Sequence, residues 1–163
     1  MDEVRAGHVM KGGRNDAEAQ LRGFVAKFDR PHQVLIRAVR RALRRRFPTA
    51  HELVYDNYNF FVIGYSPTER PSDSIVSMAA GANGVGLCFI RGAKLPDPKK
   101  VLLGSGNQTR FIRLPSVAVL SRPEVVALLT VAVAQSRTPF KTGGRPELVI
   151  RSVSAKQRPR RRR

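Results

Sequence analysis

Five hydrogen-bonding side chains, Tyr55, Asp56, Asn57, Tyr58 and Asn59, stand in a row immediately before the apolar run that begins at Phe60. Phenols, amides and a carboxylate so concentrated have the chemistry of a polar pocket for a small ligand or a hard cation. Asp97, in the turn Leu95-Pro96-Asp97-Pro98, would supply a second carboxylate if folding gathers the two. The same residue types also satisfy their own backbone in irregular loops. The string therefore has two readings, a pocket at the edge of a sheet or a self-contained loop.

A second set of residues is cationic. Arg37, Arg40, Arg41 and Arg44 recur at helical spacing and run on into Arg45 and Arg46, and the chain closes on Lys156, Arg158, Arg160, Arg161, Arg162 and Arg163. Arg37 with Arg41, and Arg40 with Arg44, are like charges one turn apart, mildly repulsive unless an anion lies between them. Cations near a helix C-terminus also complement its dipole, which accounts for Arg44, Arg45 and Arg46 without any ligand. A flexible arginine run is the usual form of a nonspecific nucleic-acid arm and equally of a solubilising tail. It lacks the interleaved aromatics that would stack on bases.

Other chemistry finds less footing. His8, His32 and His51 are isolated from one another and from Cys88, so no metal-ligand spacing is present and no cofactor is expected. Cys88 sits inside the apolar Leu87-Cys88-Phe89-Ile90 and reads as a small buried hydrophobe, not a nucleophile. The glycines of 81–86 and of Gly104-Ser105-Gly106 fall in a hairpin and before a strand, whereas phosphate loops open a helix. With no Ser, His and Asp grouping and no paired-carboxylate motif, an enzyme is not expected.

The strings ELVYDNYN (52–59), FFVIGYSPTERPSDSIVSMAA (60–80) and LCFIRGAKLPDPKKVLLGSGNQTRFIRL (87–114) resemble the YdhG-like proteins, a bacterial family titled a domain of unknown function. The resemblance extends loosely to IRSVSAKQRPRR (150–161). It implies an α/β sandwich of the secretion-chaperone-like kind. Some YdhG-like proteins are described as frataxin-like iron chaperones, which implies iron as a ligand to be weighed. Frataxin-type binding relies on an acidic helical ridge, whereas the helix after Asp29 holds no carboxylate and six arginines from Arg37 to Arg46; iron is disfavoured.

Around these residues, 163 positions with 42% hydrophobic content suffice for one substantial core. The net charge of +18 favours polyanions or acidic surfaces, although a GC-rich genome enriches arginine with no selection for binding. A single cysteine precludes an internal disulfide, the N-terminus lacks a signal-peptide core, and the longest apolar stretch, 125–134, is too short to span a bilayer. A soluble cytoplasmic protein without a membrane partner is the expectation.

The organisation expected is a lead-in over 1–14, a domain over 15–137 and a basic, mostly disordered tail over 138–163, which carries +8 of the total charge. Leu21, Phe24, Val25 and Phe28 mark a first helix, capped by Asn15 or Asp16. Asp29 and Pro31 start a second, with Leu35, Ala38, Val39, Ala42 and Leu43 on one face. Strands are expected over 60–65, 74–80, 85–90 and 109–114, with Asn83-Gly84 closing a hairpin. Residues 99–103 suggest a helical turn, and Leu148-Val149-Ile150 a brief strand-like segment within the tail. Ser121-Arg122-Pro123-Glu124 reads as a capping box opening a deeply buried helix to about Gln135. The fold class is α+β, a two-layer sandwich with helices on one face of a mainly antiparallel sheet.

Three functions follow as expectations: a non-enzymatic binding protein that engages nucleic acid or another polyanion through the arginine helix and tail, a small-ligand or iron carrier built on 55–59 with Asp97, and an adaptor for an acidic protein partner.

Overall fold

A computed structural model describes residues 13–162; His8, Arg163 and most of the expected lead-in lie outside them. The elements are α1 Arg14–Val25, α2 Arg30–Arg46, β1 His51–Asp56, β2 Phe61–Ser66, β3 Val76–Gly81, β4 Gly84–Phe89, β5 Arg110–Arg113, α3 Pro123–Ala134 and β6 Leu148–Val153. The strands form one sheet in the order β5-β4-β3-β2-β1-β6. Neighbours are antiparallel except β1 and β6, which run parallel. The class is α+β, as expected.

Period-two alternation builds the core. Phe61, Ile63 and Tyr65 of β2, Val76, Met78 and Ala80 of β3, and Val85, Leu87 and Phe89 of β4 are all buried and join one cluster with Leu21, Phe24 and Phe28, with Ile36, Val39 and Leu43 of α2, and with Val125, Leu128 and Leu129 of α3. Phe24 and Phe28 meet Phe61 with ring centroids 6.2 and 6.1 Å apart. No described helix is long and apolar enough to cross a membrane.

Several expectations are corrected. Of the string 55–59, Tyr55 and Asp56 belong to β1, which is flanked by β2 and β6 and is not the sheet's edge, while Asn57, Tyr58 and Asn59 form the loop into β2. The tail over 138–163 is not a solvated run, and 137 is not a boundary. Phe140 stacks on Phe47 at 5.2 Å, Thr49 Oγ1 donates to the Lys141 carbonyl, and 148–153 adds the sixth strand. Like charges that repel along the chain are here held by carboxylates and carbonyls supplied from elsewhere.

At the helix starts, Gly13 occupies the cap of α1 in place of Asn15 or Asp16. The capping box is also absent: Ser121 ends a 3-10 turn, Arg122 caps α3, and no side chain bonds back. Only one face of α3 is buried, since the helix lies against that turn and not deep under the sheet. Residues 99–103 form no helix; Leu103 instead bridges Phe111. The β3–β4 hairpin closes on the pair Gly81 and Gly84, and Gly84 alone takes positive φ, at 137°.

Candidate functional site

β1 points two carboxylates, Glu52 and Asp56, toward the helices, where they are 2% and 0% exposed. A buried carboxylate persists only when paired and hydrogen-bonded, and each finds its cations from distant segments. Asp56 Oδ2 accepts from Lys27 Nζ at 2.6 Å and Oδ1 from Arg160 Nη2 at 2.8 Å. Its carbonyl accepts from the Ser154 N–H and Gln157 Nε2.

The rest of the polar string completes the same dock. Arg160 Nη2 also donates to the Asn57 carbonyl at 2.7 Å, and Ser152 Oγ donates to Asn57 Oδ1 at 2.6 Å. Arg158 donates its backbone N–H to the Tyr58 carbonyl and Nε to Asn59 Oδ1, with its guanidinium 5.7 Å from the Tyr58 ring. Arg160 lies over Phe28, and its Nε and Nη1 have no hydrogen-bond partner. Tyr55 faces the other side of the sheet, half-buried; burial pushes its phenol pKa up, against the opposing charge of Arg151. The two sets singled out from sequence thus meet each other: 56–59, without Tyr55, is the cradle in which the strap after β6 sits.

Asp97 does not join them. Its carboxylate accepts from the N–H groups of Val101 and Leu102, in a loop beside β5 at the far edge of the sheet from β1. Among the described residues, no group of three or more His, Cys, Asp or Glu gathers as a metal site. The pocket expected from 55–59 with Asp97 does not form.

Glu52 organises the second cluster. It accepts from Arg40 Nε and Nη2 at 2.9 and 2.8 Å and from the buried Tyr65 hydroxyl at 2.9 Å. Arg40 also donates to both oxygens of Glu18, at 2.9 and 3.0 Å. Burial works against the charged form of Arg40, but the hydrogen bonds to Glu52 and Glu18 outweigh it and raise its pKa. The hydrogen bond from Arg40 holds the Glu18 carboxyl below its usual range despite partial burial. Burial, reinforced by the Glu52 carboxylate, pushes the Tyr65 phenol far up. Arg40 is therefore an internal tie among α1, α2 and β1, not part of an exposed cationic face.

Beside this tie, Arg14, Arg41, Arg44 and Arg45, together with the carboxylates Glu52 and Glu147, line a cleft of about 430 Å³ where the end of α2 meets β1 and the segment entering β6. Arg14 Nη1 bonds the Pro146 carbonyl at 2.9 Å, and the half-exposed Arg44 lies 3.9 Å from Glu52. Arg41 and Arg45 are exposed and have no ion pair among the described residues, and Arg37 continues this exposed face one turn back. Of the expected tail cations, Lys156, Arg161 and Arg162 are exposed; Arg161 and the backbone of Arg162 lean on Asp29 at 3.8 and 3.2 Å.

Sequence reasoning missed Lys27, Gln157, Arg14 and the carboxylate roles of Glu18 and Glu52. The spacing Glu52, Val54, Asp56 was the available signal, since two acids at period two with an apolar residue between them share one face of a strand. Arg14 joins the cleft from 132 residues away from Pro146 and left no local trace.

Fold and site together define a small α+β protein with an arginine-rimmed cleft. Comparison with protein-family models, curated proteins and solved structures finds no match to this chain.

Proposed function

We propose that this is a non-enzymatic binding protein for phosphate-bearing polyanions, with duplex nucleic acid as the type case and the outer face of α2 as its contact surface. The observation that carries the reading is the partition of the arginines. Arg40 is consumed by Glu18 and Glu52, which leaves Arg37, Arg41 and Arg45 without carboxylate partners among the described residues along one helix, next to a cleft that Arg14 and Arg44 also line. Exposed guanidinium groups on a rigid helix match phosphate oxygens in geometry and charge. A cytoplasmic setting and the likeness to YdhG-like proteins belong to the same proposal; neither names the ligand.

The docked strap lowers the expected charge count. If Arg37, Arg41, Arg44 and Arg45 neutralise about four phosphates, log affinity falls with log salt at a slope near −3.5. Fluorescence anisotropy of a labelled duplex across a salt series measures it. Arg41→Glu with Arg45→Glu should abolish binding at physiological salt while leaving the thermal midpoint within a few degrees. Affinity that is indifferent to salt, or to this double charge reversal, overturns the proposal. Deleting the strap is the wrong test, because it would strip Asp56 of its buried partner.

A further inference from the structure

Away from β1, a second hollow of about 320 Å³ opens between the end of β4, the 3-10 turn Gly92–Lys94 and the C-terminal end of α3. Its apolar lining comes from Ile75, Phe89, Leu95 and Ala132. Three cations, Arg91, Lys94 and Arg137, complete it, and no Asp or Glu is among the lining residues. Arg91 makes one weak bond, from Nη2 to the Ser72 carbonyl at 3.4 Å, while the side chains of Lys94 and Arg137 have no partner among the described residues.

Close backbone approach puts the cations there. A Cβ on Gly92 would stand 2.6 Å from Arg110 Cβ and 3.0 Å from the Arg110 nitrogen, so only glycine lets this turn lie against β5 and aim its flanking residues, Arg91 and Lys94, at the hollow. Arg137, just past the end of α3, is what that helix's dipole would recruit without any ligand. The dipole does not explain Arg91 and Lys94, which come from a different element, nor a hollow lined by Ala132 and the edges of Ile75 and Leu95 beneath three like charges.

From this we infer a small-molecule site for an anion with a compact apolar body, an alkyl or aryl carboxylate. The volume sits at the small end of ligand pockets, which are typically apolar with a few placed polar groups. The apolar part packs against Ala132 and the edges of Ile75 and Leu95, and the carboxylate is shared among the cations that now repel one another. The site is separate from the arginine face of α2 and does not rest on the polyanion reading.

The test uses the full chain and the dye anilinonaphthalene sulfonate, itself an apolar-bodied anion, with octanoate and 1-octanol as competitors. Octanoate should displace the dye and octanol should not. Lys94→Gln with Arg137→Gln should weaken octanoate at least tenfold, as the loss of charge-assisted bonds implies. Ala132→Phe, which fills the hollow, should remove dye binding with the near-ultraviolet dichroism unchanged, excluding a loosened core that binds the dye for other reasons. Equal displacement by octanol, dye binding retained in Ala132→Phe, affinity unchanged in the double charge variant, or no dye binding by the parent chain would each overturn the inference. If Ala132→Phe fails to fold, the double charge variant, altered only at exposed side chains, decides alone.

Discussion

Replacing Asp56 with Asn removes a charge while keeping the shape of the side chain, and its cost is set by what the two cations lose. Lys27 is 41% exposed and keeps Gln157 Oε1 at 2.9 Å, so water and the amide take over and its share is small. Arg160 is 2% exposed. Its only bonds are those of Nη2, to Asp56 and to the Asn57 carbonyl, and Nε and Nη1 already lack partners. Breaking a buried pair by removing one member costs about 3–5 kcal/mol. The surviving carbonyl bond places Asp56→Asn near the lower end, about 3 kcal/mol, or roughly 6–12 °C in the thermal midpoint for a domain of this size.

The strap should loosen before the core does, so trypsin should cut after Lys156 and Arg160 far faster in Asp56→Asn than in the parent chain. A second substitution separates the charge from the contact. Arg160→Met keeps an apolar stem over Phe28 and deletes the stranded guanidinium, so the double variant should recover at least half of the loss. Thermal unfolding followed by circular dichroism reads both. A loss below about 1 kcal/mol, or a strap cut equally fast in the parent chain, would refute the claim that Asp56 and Arg160 clamp the C-terminal segment.

Two further outcomes follow from the same chemistry. Glu18 has a folded pKa below its ordinary 4.5, so the stability it contributes is present above about pH 4.5 and is lost as pH falls through the lower folded value; between about pH 5 and pH 3, Glu18→Gln should show a flatter fall of the thermal midpoint than the parent. Burial pushes the Cys88 thiol up, with only the Ser77 hydroxyl opposing it. A disulfide reagent should therefore modify it at least about tenfold more slowly in the native chain than in denaturant, and native reactivity equal to that of the unfolded chain would reopen the nucleophile reading.

How much could be read in advance depends on whether the signal is local. α2 was legible because Val39 and Leu43 of the expected stripe recur at helical spacing behind Asp29 and Pro31, although Ile36, which the stripe left out, completes the buried face. β2, β3 and β4 were legible because buried apolar residues alternate between turn signals. β1 was hidden by the acids it carries inward, since Glu52 and Asp56 break the apolar alternation and become tolerable only once Arg40, Lys27 and Arg160 arrive. β6 was legible only as the short apolar Leu148-Val149-Ile150, because it pairs parallel with β1 and so has no hairpin to announce it, and a register shift opposite Val54 and Tyr55 interrupts its pattern. The docking of the strap was illegible for the same reason: like charges along the chain say nothing of a carboxylate more than 100 positions away.

The same two acids decide what the net charge can do. Buried Glu52 takes Arg40 out of the cationic surface and pins α2 against β1, so the neighbouring Arg41 and Arg44 project from a helix that cannot swing away, and ordering costs on binding are already met. Buried Asp56 takes Arg160 and, with Asp29, brings Arg161 and Arg162 to the N-terminal end of α2. The remaining tail charge is thus not a free arm but an extension of the helix's own array. Seventeen helical residues span about 25 Å, enough to set the exposed arginines of α2 against several phosphates. Under the proposed function, Arg37, Arg41, Arg44 and Arg45 address the phosphates, and Arg161 and Arg162 stand beyond them at the N-terminal end of α2. Arg37→Glu should then weaken duplex binding more than Arg162→Glu does, because the central charge is flanked on both sides and the terminal one is not.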